Sequence, residues 1–157
     1  MIPKLDIAIE HLSCAIKLHK DGKYASALHT AGAAEELLGN FLLVEGGAPE
    51  IERLKQSGMD WLNLLLNRID ITVSEQNVAN IINASKNGIK HMRVAPVKND
   101  IGEVIGYTTS DDVFDHDVKS AADDMIWRAH TNYSRLKALR PNMPLVQAIE
   151  DFEAGNS

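Results

Sequence analysis

Cysteine is almost missing from this sequence. Cys14 is the single one in 157 residues, so no intramolecular disulfide can form, and a chain without one suits a reducing compartment. Cys14 lies among Leu12, Ala15 and Ile16, which predicts a small core residue rather than a nucleophile. Long apolar runs are lacking too: no segment approaches the ~18 uninterrupted apolar residues of a membrane span. The opening Met1-Ile2-Pro3-Lys4-Leu5-Asp6 lacks the basic stretch and apolar run of a signal peptide. A cytoplasmic protein with no membrane partner is expected. The metal-binding patterns Glu-x-x-His, His-Glu-x-x-His and paired Cys-x-x-Cys are absent, as are a Gly-rich phosphate loop and a Gly-x-Ser-x-Gly elbow. No metal and no cofactor is expected. Asp112, Asp115, His116 and Asp117 read as a helix-capping cluster first, with a metal site as the lesser alternative.

What is present is ordinary for a globular chain: 45% apolar and 24% charged residues. The length fits one domain. Leu5 to Lys20 and Tyr24 to Val44 repeat apolar residues at helical spacing. The break at Asp21-Gly22 is short enough to force these helices into an antiparallel hairpin. Pro49 opens a short helix through Gln56, Ser57-Gly58 interrupts, and Met59 to Ile69 is apolar enough to be centrally buried. Ser74 is a candidate N-cap for a helix to about Met92. Val94 to Ser110 breaks the helical period and reads as a long irregular loop, with a weak strand or hairpin signal at 103–107. Helix resumes near Asp112 to Asp117 and runs to Leu139. The expected fold is all-α, an antiparallel bundle of about five main helices over residues 1–140. Residues 141–157 are expected to add a short helix over Leu145 to Phe152 and a frayed tail. Trp61, Leu65, Ile82, Ile126 and Leu38, each mid-stripe on its helix, are expected to be buried together.

The net charge of −6 makes general nucleic-acid binding unfavourable, because affinity there comes largely from neutralising phosphates. Yet residues 76–99 contain no Asp or Glu and hold Lys86, Lys90, Arg93 and Lys98, with His91 among them. On the same predicted helix, Asn80, Asn83, Asn87 and His91 fall within about 80° of one another, opposite the Ile and Val face. Asparagine is a poor helix former, and three in one stripe cost roughly 2 kcal/mol. A ligand or a second interface would offset that; a plain solvated surface is the alternative. Asn87 and His91 are spaced i, i+4, so the amide can orient the imidazole. A histidine moves protons near neutral pH, and a cation stabilises charge building on phosphate. Ala25, Gly32 and Gly39 recur along the second helix and read as a close-packing stripe. Glu35 and Glu36 are adjacent there, and one of them is expected to face inward, where a carboxylate can orient His91 or raise its pKa.

Two stretches together resemble the HEPN superfamily of helical domains. One is Asp21-Gly-Lys-Tyr-Ala-Ser-Ala-Leu-His-Thr-Ala-Gly-Ala-Ala-Glu35-Glu36-Leu-Leu, similar to the family's opening hairpin. The other is Lys86-Asn87-Gly-Ile-Lys-His91, similar to its signature of an Arg, often with Asn, followed by a His. The resemblance covers roughly Leu5 to Leu139 in architecture. It implies a homodimer with the site near the interface, and either a metal-independent endoribonuclease or a non-catalytic RNA-binding or interaction module. Under it, His91 transfers the proton, Asn87 positions the imidazole and Lys86 contacts phosphate; from the basic island and the second helix, Lys90, Arg93, Glu35 and Glu36 are expected around the substrate. The family's Arg is Lys86 here, and lysine lacks the planar bidentate fork. The rival expectation is a helical adaptor using the Asn stripe to contact a protein partner.

Overall fold

Helix α1 (Lys4–Lys20) ends where Gly22 takes a left-handed φ of 73°, a conformation cheap only without a Cβ. The Lys23 N–H then reaches back to the Leu18 carbonyl and the Gly22 N–H to that of His19, satisfying the last carbonyls. The chain reverses at once into α2 (Tyr24–Val44), giving the antiparallel hairpin expected from the sequence. The structure, a computed structural model, describes residues 2–66, 74–84, 87, 94–109 and 117–155. Within these follow α3 (Glu50–Leu66), α4 (Glu75–Ile82), strands β1 (Val94–Lys98) and β2 (Val104–Thr109), α5 (Val118–Leu139) and α6 (Gln147–Gly155). The architecture is a mostly helical bundle.

α2 and α5 form the centre, α1 lies along α2, and α6 packs on α1. The core joins Leu12 and Ile16 of α1, Leu28, Leu38 and Leu42 of α2, and Ile126, Tyr133 and Leu136 of α5. Ile149 of α6 is fully buried in the same cluster, so the C-terminal helix belongs to the bundle's apolar unit. Leu38 and Ile126 meet the expectation of burial, while Ile82 is only half-buried. The side chains of Trp61 and Leu65 lie outside the described residues. Cys14 is exposed, not buried. Its helical phase places it with Glu10 and Lys17, away from the face of Leu12, Ala15 and Ile16.

Three local expectations change. α3 runs unbroken through Ser57-Gly58. Gly58 is a packing residue: a Cβ there would stand 2.9 Å from Val78 Cγ1 of α4. The helix begun at Ser74, whose hydroxyl accepts from the Asn77 N–H, pauses at Asn83 (φ −98°, ψ 4°). Ala84 and Asn87 are again helical. The expected irregular loop is an antiparallel hairpin pairing Val94 with Thr109 and Lys98 with Val104. Its turn is organised by the Asn99 side chain, which accepts from the N–H groups of Ile101 and Glu103, while Gly102 supplies a φ of 86°. Asp117 caps α5 by accepting from Lys119 and Ser120. Asp111, Asp112, Asp115 and His116 lie outside the described residues.

Candidate functional site

A buried polar centre joins α2, α5 and the end of α4. Glu35 belongs to the inward face of α2, with Ala31, Ala34 and Leu38, and is 3% exposed. Arg128 of α5 is buried opposite it and its Nη2 donates to Glu35 Oε1 at 3.0 Å. The same nitrogen donates to Asn83 Oδ1 at 3.1 Å, and Nη1 reaches the Ile82 carbonyl at 3.3 Å. One guanidinium thus ties the end of α4 to α2 and α5. Ion pairs taken out of water need such additional hydrogen bonds to recover their desolvation cost.

One turn further along α5, Asn132 forms a second node. Its Nδ2 donates to the Glu35 carbonyl at 3.2 Å, and its Oδ1 accepts the Glu50 N–H at 2.7 Å. That bond satisfies one of the orphan donors at the start of α3. Gly39 makes the approach possible, since a Cβ there would lie 3.3 Å from both Asn132 Nδ2 and Pro49 Cβ. The Glu50 carboxylate meets Arg135 at 2.8 Å and Arg53 at 3.3 Å. α5 therefore reads its neighbours with Arg128, Asn132 and Arg135. Beside this centre opens a cleft of about 190 Å³ edged by Glu35, Glu36, Asn40, Glu52 and Asn83.

The expected site residues divide. Glu35 faces inward as one of the two acids was expected to, and it bonds Arg128; Glu36 is exposed at the cleft. Asn87 is exposed on helical backbone, its N–H bonded to the Asn83 carbonyl at 2.9 Å. Lys86, Lys90, His91 and Arg93 lie outside the described residues. The asparagine stripe is not uniform: Asn80 is exposed and accepts from Gln76, whereas Asn83 turns to Arg128. In the small-residue stripe, Gly32 and Gly39 are buried and Ala25 is exposed.

Sequence reasoning missed Arg128 and Asn132. Their signal was a cation and an amide four residues apart, flanking the apolar stripe of Met125, Ile126, Ala129 and Tyr133. Among the described residues no group of three or more His, Cys, Asp or Glu is arranged to hold a metal ion, and no helix is long and apolar enough to cross a membrane. Comparison with protein-family models, curated proteins and solved structures returns no match.

Proposed function

We propose that the chain is a HEPN-like bundle that handles RNA or nucleotide phosphate in the cytoplasm as a homodimer, acting as a metal-independent endoribonuclease. The observation that supports this reading is the Arg128 bridge. It fixes Ile82 and Asn83 to the two central helices, immediately ahead of Lys86-Asn87-Gly-Ile-Lys-His91. Asn87, one turn beyond Asn83, is exposed. In the proposed reaction His91 takes the proton of a ribose 2′-hydroxyl as that oxygen attacks the adjacent phosphorus. The P–O5′ bond breaks and the leaving 5′-oxygen takes a proton from water, leaving a 2′,3′-cyclic phosphate and a 5′-hydroxyl. Asn87 positions the imidazole, and Lys86, with Lys90 and Arg93, offsets phosphate charge. Glu36 borders the substrate, and Glu35 acts from beneath through Arg128.

The test is cleavage of labelled RNA in the presence of chelator. His91→Ala is expected to abolish cleavage with the fold intact, and Lys86→Arg to preserve or raise it by restoring a bidentate donor. Absence of any cut by the purified protein, with no gain from Lys86→Arg, defeats the enzyme reading. One observation favours a second reading, a non-catalytic adaptor for a protein partner. Ile81 is 73% and Trp127 50% exposed, and with Leu54 they edge a depression of about 390 Å³. Exposed large apolar side chains grouped around a depression mark interaction surfaces. A folded protein that binds no RNA at low salt would leave that reading standing.

A further inference from the structure

Asp124, Trp127 and Arg128 stand at i, i+3 and i+4 on α5, so they share one side of the helix. They line the depression that Leu54 of α3 and Ile81 and Ile82 of α4 complete. An exposed helical acid ordinarily pairs with a cation four residues on. Here that cation is Arg128, and it is buried and turned inward: Nη2 donates to Glu35 and Asn83, and Nη1 to the Ile82 carbonyl. Asp124 is left exposed, with no ion pair to a described residue. Asp123 beside it differs, since His19 and Lys119 both meet its carboxylate. The helix dipole does not account for Asp124 either. That field falls off within the first turn, and Asp124 lies in the second turn of α5. The Arg128 charge beneath is offset by Glu35. Among the described residues, the depression therefore carries one uncompensated negative charge beside a half-exposed indole.

We propose that this depression docks a segment of a partner protein through an arginine that lies over Trp127 and pairs with Asp124. Apolar neighbours of that arginine cover Leu54, Ile81 and Ile82. Charge complementarity selects a cation, and the face of an indole attracts cations as well. With Asp124 three residues before Trp127, one group can meet both. A guanidinium suits both: it is planar, weakly hydrated, stacks on aromatic rings and offers a carboxylate a fork of donors. The apolar side chains come from three helices, a wider patch than a lone guanidinium covers, so the arginine is carried among apolar residues of a protein segment. Nucleic acid fits less well, because the Asp124 carboxylate repels phosphate. The inference rests on the adaptor reading of this depression and names the partner's chemistry. The RNA reading stands or falls apart from it.

The experiment titrates the full chain with an acetylated, amidated Leu-Leu-Arg-Leu-Leu peptide. Binding is followed in NMR by the Trp127 indole N–H, assigned with Trp127→Phe, and by the backbone amides of α5. The peptide is expected to shift these signals to saturation. Citrulline in place of its arginine keeps the shape and loses the charge, and is expected to weaken binding at least about tenfold. Asp124→Asn is expected to bring the arginine peptide down to the level of the citrulline one, with circular dichroism verifying the fold. Trp127→Leu, read from the α5 amides, is expected to erase the preference for arginine over lysine in the peptide. Arginine and citrulline peptides that bind alike overturn the inference and leave the adaptor reading of the depression in place. Signals that neither peptide moves at millimolar concentration overturn both. Signals moved by a short oligoribonucleotide and not by the peptides overturn both in favour of nucleic acid.

Discussion

Arg128 and Glu35 illustrate how much one buried pair governs. Removing one partner of such a pair leaves the other facing apolar surroundings, which typically costs more than replacing both. Arg128→Met is therefore expected to lower stability by about 3–5 kcal/mol in urea denaturation. The double variant Glu35→Leu/Arg128→Met is expected to be more stable than the single one. Equal stabilities would mean that the pair is not coupled. Leu38→Ala, in the fully buried core, is expected to cost ~2–5 kcal/mol, and an unchanged midpoint would displace α2 from the centre. At this scale the sequence is unevenly legible. Leu12, Leu28, Leu38, Ile126 and Tyr133 announced their burial through periodicity. Cys14 did not, because its neighbours in sequence are not its neighbours on the helix. Arg128 did not, because a cation beside an apolar stripe reads as solvated until an acid on another helix is brought to it.

Between elements, the junction of α3 and α4 turns on a missing Cβ. Alanine is the better helix former by about 1 kcal/mol, yet Gly58→Ala would push a methyl to 2.9 Å from Val78 Cγ1. Valine is stiff at χ1 and cannot swing away. Gly58→Ala is expected to destabilise, and Gly58→Ala/Val78→Ala to recover at least part of the loss; a stabilising single variant would show that the helices can separate freely. α4 is only eight residues long, so its cap matters. Ser74→Ala is expected to cost ~0.5–2 kcal/mol and to speed amide exchange within α4 ahead of α1 and α2. The Ser74 cap was legible because it is a local device. The continuity of α3 was not, because Ser57-Gly58 carries a stop signal that only the approach of Val78 explains. The hairpin at 94–109 was half-legible: the 103–107 stretch pointed to an arm, but pairing needs both strands.

For the whole molecule, the salt dependence of any RNA binding tests the proposed role of the basic island. If residues 76–99 contact phosphate, Lys86→Ala and Lys90→Ala are each expected to lower the slope of log affinity against log salt by roughly 0.7–0.9. Binding indifferent to salt would remove the island from the interface.

By itself the sequence determined the helical class, the α1–α2 hairpin, the cap at Ser74, an acidic capping cluster that includes Asp117, and most of the apolar core. These follow from periodicity and from side chains bonding their own neighbourhood. The tertiary structure decided which polar residues matter together. Glu35, Asn83, Arg128 and Asn132 come from three helices widely separated in the chain, and a buried hydrogen-bond network exists only once packing has excluded water and set donors against acceptors.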